Sequence, residues 1–365
     1  SANQQSIIRM RRNLRGSETM NRFSKMTSIA VAMAVLPFGV ASADSVSDFY
    51  EGRTITFYSG GSAGGGFSTV ARLVAQHMAD RIPGKPKMVV EARPGAGGAK
   101  MMSFMANAAP KDGTALGAAL PIAVNAPLLR KVKFNPAKFQ WLGSTTAMTE
   151  VSTVWHTAPA TTLEGAKKTE VIMATSSKLS SAYIIPAFMN AVIGTKFKVV
   201  PGYRGAGPMN KAMEAGEVHG RGSFYNSYVS TKPGWLKDKK IIQLVQVGPG
   251  EKALAGVPNM RDLVTTADQR RMLDFMEAPA YVGHGFFTPE GVPADRVAAL
   301  KKAFVATVAD PTFLKDAKER RIIINPVTAE KIQSVIETAM STPEPLLAKF
   351  REMVKIKAPK AGKKK

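Results

Sequence analysis

Apolar positions change period several times along the chain, and each change marks an element. Residues 54–58 are β-branched and aromatic, as a strand requires. Val70, Leu73, Val74 and His77 then recur at helical spacing, with Arg72 and Gln76 on the other side. Between them lie Gly60, Gly61, Gly64, Gly65 and Gly66, then Ser68 and Thr69, which suit a helix N-terminus. The alternation continues. Residues 87–91 read as a strand, 93–98 as a second glycine turn and 99–108 as a Met- and Ala-rich helix. Residues 115–120, 141–144 and 151–155 read as further strands. A strand at 171–174 runs through a polar 175–181 stretch into an apolar helix at 182–192. A strand at 197–200 runs through a glycine- and proline-rich 201–208 stretch into a helix at 209–215. Residues 218–222 lead to Phe224, Tyr225 and Asn226. Residues 241–247 form a buried strand, 280–288 a return strand, and the spacing over 295–308 and 330–339 predicts helices. Repeated strand–helix units predict an α/β fold with parallel-rich sheets and ligand loops at the carboxyl ends of strands.

The first glycine stretch carries the chemistry. A strand, a glycine loop and a helix start leave backbone N–H groups pointing out of the positive end of a helix, a ready site for an anion. A side chain in the loop would block the ligand's approach.

Composition narrows the setting. The chain has 365 residues and no cysteine, which excludes disulfides and thiolate metal sites. Arg22 and Lys25 precede an apolar run over 26–40, then Ala41-Ser42-Ala43, an A-x-A pattern. With Pro37 inside it, the run suits a secretory leader cleaved after Ala43 better than a membrane span. Residues 1–19 read as upstream sequence, and the mature chain as periplasmic. The net charge of +23 attracts anions, and part of it is the basic tail at 356–365. No aromatic-interleaved basic motif points to nucleic acid.

Gly60-Gly61-Ser62-Ala63-Gly64 satisfies G-x-S-x-G, the nucleophile elbow of serine hydrolases, with His284 or His219 as partner. The strand before it comes too early for the preceding hydrolase strands, and the further glycines suit an anion cradle better. No Lys-Ser or Lys-Thr follows the glycines, as a phosphate loop requires. The four histidines show no metal spacing, and no cofactor site is read. The Met101, Met102 and Met105 cluster reads as core, His77 as packed, and Arg72 as a structural pair partner.

Six blocks in order resemble the extracytoplasmic receptors of tripartite tricarboxylate transporters, the Bug family. They are residues 57–74, 90–98, 109–113, 202–220, 256–258 and 287–293, which together span nearly all of the chain from 44 to 353. The resemblance implies two α/β domains of the type II-like periplasmic binding kind, joined by two hinge crossovers. Domain 1 would hold 44–147 and 279–355, and domain 2 would hold 148–278. It implies a non-enzymatic, monomeric receptor that captures an organic carboxylate and hands it to membrane permease subunits; a sensor subunit would need the same cleft. Carried over, one lip is Ala63, Gly64, Gly65, Gly66, Phe67 and Ser68. The facing lip is Tyr203, Arg204, Gly205, Ala206, Gly207, Pro208 and Met209, with Ser177, Lys178, Ser180, His219 and Asn226 beside it. Ser68 and His219 stand where many members carry Asp, and Lys178 is an added cation. A cleft so altered is expected to favour a more negatively charged ligand, with Lys178 near a second carboxylate.

Overall fold

The computed structural model describes residues 41–203 and 205–357. In chain order the strands are β1 (Thr54–Ser59), β2 (Lys87–Ala92), β3 (Ala115–Ala118), β4 (Gln140–Ser144), β5 (Glu150–Trp155), β6 (Val171–Thr175), β7 (Phe197–Pro201), β8 (Gly220–Phe224), β9 (Ile241–Val247), β10 (Gly285–Thr288) and β11 (Val327–Thr328). They form two sheets, ordered β11-β4-β10-β3-β1-β2 and β7-β6-β8-β5-β9. In the first, β1 runs parallel to β2 and β3, while β10 and β4 are antiparallel additions. In the second, β6 runs parallel to β7 and β8, and β5 is antiparallel to β8 and β9. The α/β, parallel-rich reading of the sequence describes both sheets.

Alternating side chains place each sheet between two apolar layers. Ile55 and Phe57 of β1 and Leu116 of β3 face Val70, Leu73, Val74, Leu300 and Phe304. On the opposite face Phe287 of β10 meets Met101, Met102, Met105 and Ile332, so the methionine cluster is core. In the second sheet, Val171 and Met173 face Ile184, Phe188 and Phe275 on one side. Ala174 and Val151 face Met209, Met213 and Tyr228 on the other.

Two segments cross between the sheets side by side. Thr145 N–H donates to the His284 carbonyl (3.2 Å), His284 N–H to the Thr146 carbonyl (3.2 Å), and Met148 N–H to the Ala280 carbonyl (2.8 Å). The return segment differs from its expectation. Residues 280–282 end the helix Ala267–Val282, and only Gly285–Thr288 is strand. Gly283 (φ 46°, ψ −121°) makes the break, and a Cβ there would sit 1.7 Å from the Thr146 carbonyl oxygen.

The C-terminal segment also departs from the expected division. Residues 279–355 do not all stay with the first sheet, because the helix Glu344–Met353 packs on the second. Phe350 lies 4.7 Å from Phe275 and 6.0 Å from Phe188, ring centre to ring centre. Arg351 donates to the Leu128 carbonyl (2.9 Å). An apolar face at 347, 350 and 354 needs burial, and the sequence does not say which sheet supplies it.

At the other end, the helix Ala41–Tyr50 opens the described chain. The expected cleavage point after Ala43 falls in its first turn, and the rest of the expected leader lies outside the described residues.

Candidate functional site

β1 ends at Ser59, and the chain turns through a glycine loop, exposed at Gly64 and Gly66, into the helix Gly66–Met78. Its N-cap is Gly65, which has no side chain to close the first turn. The N–H groups of Gly66, Phe67 and Ser68 accordingly have no protein acceptor among the described residues. Arg72 shapes this loop, donating to the Ala63 carbonyl (2.8 Å) and to Thr69 Oγ1 (3.0 Å). It is a pair partner, as expected, and the partner is the loop itself. Ser68 turns away: fully buried, it donates to Ser59 Oγ at 2.8 Å, so only its backbone faces the opening.

A cleft of about 440 Å³ lies in front of this helix start. Gly64, Gly66 and Phe67 form one wall, and Phe224, at the end of β8, with Asn226 and Ser227 just after it, forms another. The crossing segments supply Met148 and His284 at its back. His284 sits edge-on to Phe67 at 4.6 Å. Burial holds its pKa down at about 4, so the ring is neutral at pH 7. Its Nδ1 and the Asn226 Oδ1 are buried without partners among the described residues.

Arg320, Arg321, Ile322 and Ile323 complete the wall, and the sequence reading missed them. The helix Pro311–Glu319 runs antiparallel to Gly66–Met78. Asp310 pairs with Arg81 at 2.6 Å and Asp316 with His77 at 2.8 Å, which carries the far end of the helix back to the start of its partner. His77 is packed as expected, against Phe313. No acidic residue lines the cleft among the described residues.

The remaining expected site residues are elsewhere. Ser177, Lys178 and Ser180 follow β6, while Tyr203, Gly205, Ala206, Gly207 and Pro208 follow β7. Both loops are at the carboxyl end of the second sheet, as Asn226 is, but the cleft wall does not include them. Ser180 accepts from Ala182 N–H at 3.2 Å and so caps its own helix, using an amide a ligand would need. Gly205, by contrast, caps the helix Ala206–Glu214 with no side chain. Lys178 is exposed, its ammonium 5.8 Å from the centre of the Tyr183 ring. His219 lies at the opposite, amino end of β8. Its Nδ1 accepts from Ile172 N–H at 3.0 Å, which is a structural role. Ser62 makes no hydrogen bond to a histidine among the described residues, so the nucleophile-elbow constellation is not assembled.

The second glycine turn is packing. Gly95, Gly97 and Gly98 all have positive φ, and a Cβ on Gly98 would come within 2.9 Å of Leu120.

The geometry is an uncapped helix start opening on a cleft without acids. Residues 70–338 match the family described as tripartite tricarboxylate transporter family receptor. The chain belongs to that family. A 116-residue part of this receptor is 32% identical to the UPF0065 protein in gbd 5'region of Cupriavidus necator; the match covers 32% of this chain and 35% of that one, about a third of its length. Among solved structures, a TctC solute-binding protein from Polaromonas superposes with a TM-score of 0.63 at 17% identity, covering 84% of this chain and 99% of that one. An R. palustris protein solved with adipate superposes with a TM-score of 0.59 at 18% identity, covering 84% and 98%. The receptor therefore has the two-sheet architecture of TctC-type solute-binding proteins.

Proposed function

We propose that the chain is a periplasmic receptor that captures an organic carboxylate in this cleft and delivers it to a tripartite tricarboxylate-type permease. The observation that carries the reading is the uncapped start of the Gly66–Met78 helix, with three unpartnered backbone donors beside a cleft that two arginines and no acid line. A carboxylate there accepts from fixed amides at the positive end of a helix. Adipate in the R. palustris relative is a ligand of the same chemical kind.

The mechanism is closure without covalent chemistry. The two sheet-bearing halves act as domains about the crossing segments, and the loop with Tyr203, Gly205, Ala206, Gly207 and Pro208 is the lip that meets the ligand in the closed form. Ligand that contacts both lips favours that form by its differential affinity.

Gly66 tests the reading, because a Cβ there meets nothing within 4 Å and its φ is ordinary. In a thermal-shift screen of mono-, di- and tricarboxylates after unfolding and refolding, at least one carboxylate raises the wild-type Tm. At a hundred times its Kd a ligand adds roughly 2.7 kcal/mol. Gly66→Val folds with an unchanged Tm and loses the shift. Silence from every carboxylate, or an undiminished shift in Gly66→Val, overturns the assignment.

A further inference from the structure

We propose that Arg320 and Arg321 are the charge-reading element of the cleft, selecting a ligand that carries a second anionic group over its monoanionic counterpart. The inference rests on the carboxylate-receptor reading and adds the residues that set ligand charge.

The first observation is backbone geometry. Arg321 N–H donates to the Lys318 carbonyl (3.0 Å) and Ile322 N–H to the Ala317 carbonyl (2.8 Å), the paired bonds of a Schellman ending. Arg321 is the left-handed residue of that ending, at φ 58°. Glycine ordinarily fills this position, because a Cβ is strained there. Four other described non-glycine residues share such an angle, but only Arg321 combines it with a place at the wall of this cleft.

The second observation is what surrounds the pair. Neither guanidinium has a carboxylate partner among the described residues, although both belong to a molecule with many surface ion pairs. The wall they share with Gly64, Gly66 and Phe67 contains no acid, and His284 is neutral there. The charge of the pair is therefore uncompensated and next to the positive end of a helix. One carboxylate satisfies the helix amides, and a second is needed to use the guanidinium forks.

The third observation is anchoring. The Thr146 hydroxyl donates to the Ile323 carbonyl. Asn325 N–H donates to the Thr145 carbonyl (3.0 Å), and Ala147 N–H to the Asn325 carbonyl (2.9 Å). The segment that carries the arginines is thus fastened to a crossing segment, which fixes it relative to the back of the cleft. Lys178, the cation singled out from the sequence, has no such position.

The test compares α,ω-dicarboxylates of four to eight carbons with monocarboxylates of the same length, by calorimetric titration of the full chain after refolding. Wild type is expected to bind its best dicarboxylate at least tenfold tighter than the matched monocarboxylate, with affinity falling as salt rises. Arg320→Gln and Arg321→Gly should each lower dicarboxylate affinity about tenfold and flatten the salt dependence, with a clearly smaller loss for the monocarboxylate, so that the ratio between the two falls. Arg321→Gly should also unfold at an equal or higher temperature, since glycine relieves the left-handed backbone; a merely structural arginine would not shift the mono- to dicarboxylate ratio. A dicarboxylate preference that survives in the double variant, or no preference in wild type, overturns the assignment while leaving the receptor reading intact. Failure of both series to bind wild type overturns this assignment, and silence from the tricarboxylates as well overturns the receptor reading with it.

Discussion

Glu150 opens β5 as a buried carboxyl, two residues past the crossing at Met148. Burial pushes its carboxyl from 4.5 up to about 7. The unfolded chain loses this proton first, so the folded state holds it between those two values. Its favourable contribution is complete below about pH 4.5 and is lost as pH rises through 7, a change of about 3 kcal/mol by linkage. Glu150→Gln should therefore be more stable than wild type in urea at pH 8 and nearly equal to it at pH 4.5. Equal differences at both pH values would show that the carboxyl titrates alike in the folded and unfolded chain.

Single residues also show where the sequence is readable. The glycines at 64–66 are legible because a loop that turns from a strand into an uncapped helix start is built from residues without side chains. Ser68 does not, since a serine at a helix start serves equally as cap, ligand or core, and its bond to Ser59 decides for core. The sequence does not say at which end of a strand His219 sits; parallel pairing of β8 with β6 puts it at the end away from the cleft. Arg321 was invisible because its meaning lies in a backbone angle.

Elements divide in the same way. Strands and amphipathic helices of the alternating type are legible from period alone: β6, Ser181–Ile193, β7 and Ala294–Val308 all fall within a few residues of their expected bounds. The helix Ala267–Val282 was not. Its last turn carries Pro279, and its Ala-Tyr-Val end has the look of a strand. Docking partners are not legible at all, as Glu344–Met353 shows by packing on the second sheet. Phe350 is fully buried there between Phe188 and Phe275. Phe350→Ala should cost about 3–5 kcal/mol in chemical denaturation. A loss below about 1 kcal/mol would mean that this helix is not held by that core.

At the scale of the whole molecule the crossing matters most, and among the described glycines Gly283 leaves an added Cβ the least room. Gly283→Ala drives a methyl into the Thr146 carbonyl, so the crossing segments must part. The expected loss is about 3 kcal/mol or more, read from urea unfolding. A variant as stable as wild type would show that the two segments separate without penalty.

The Arg351–Leu128 bond has a consequence for how any such separation is distributed. Leu128 and Leu129, from the chain before β4, share one core with Phe188 and Phe350, and Arg351 ties Leu128 by its backbone. Pulling the sheets apart on that side uncovers several large apolar side chains, roughly 2 kcal/mol for each one exposed. On the side of Gly64 and Asn226 the walls face each other across open space, and parting them uncovers little. Apolar packing binds the two halves along the Leu128 edge and is sparse along the glycine edge, so any parting costs less on the glycine side.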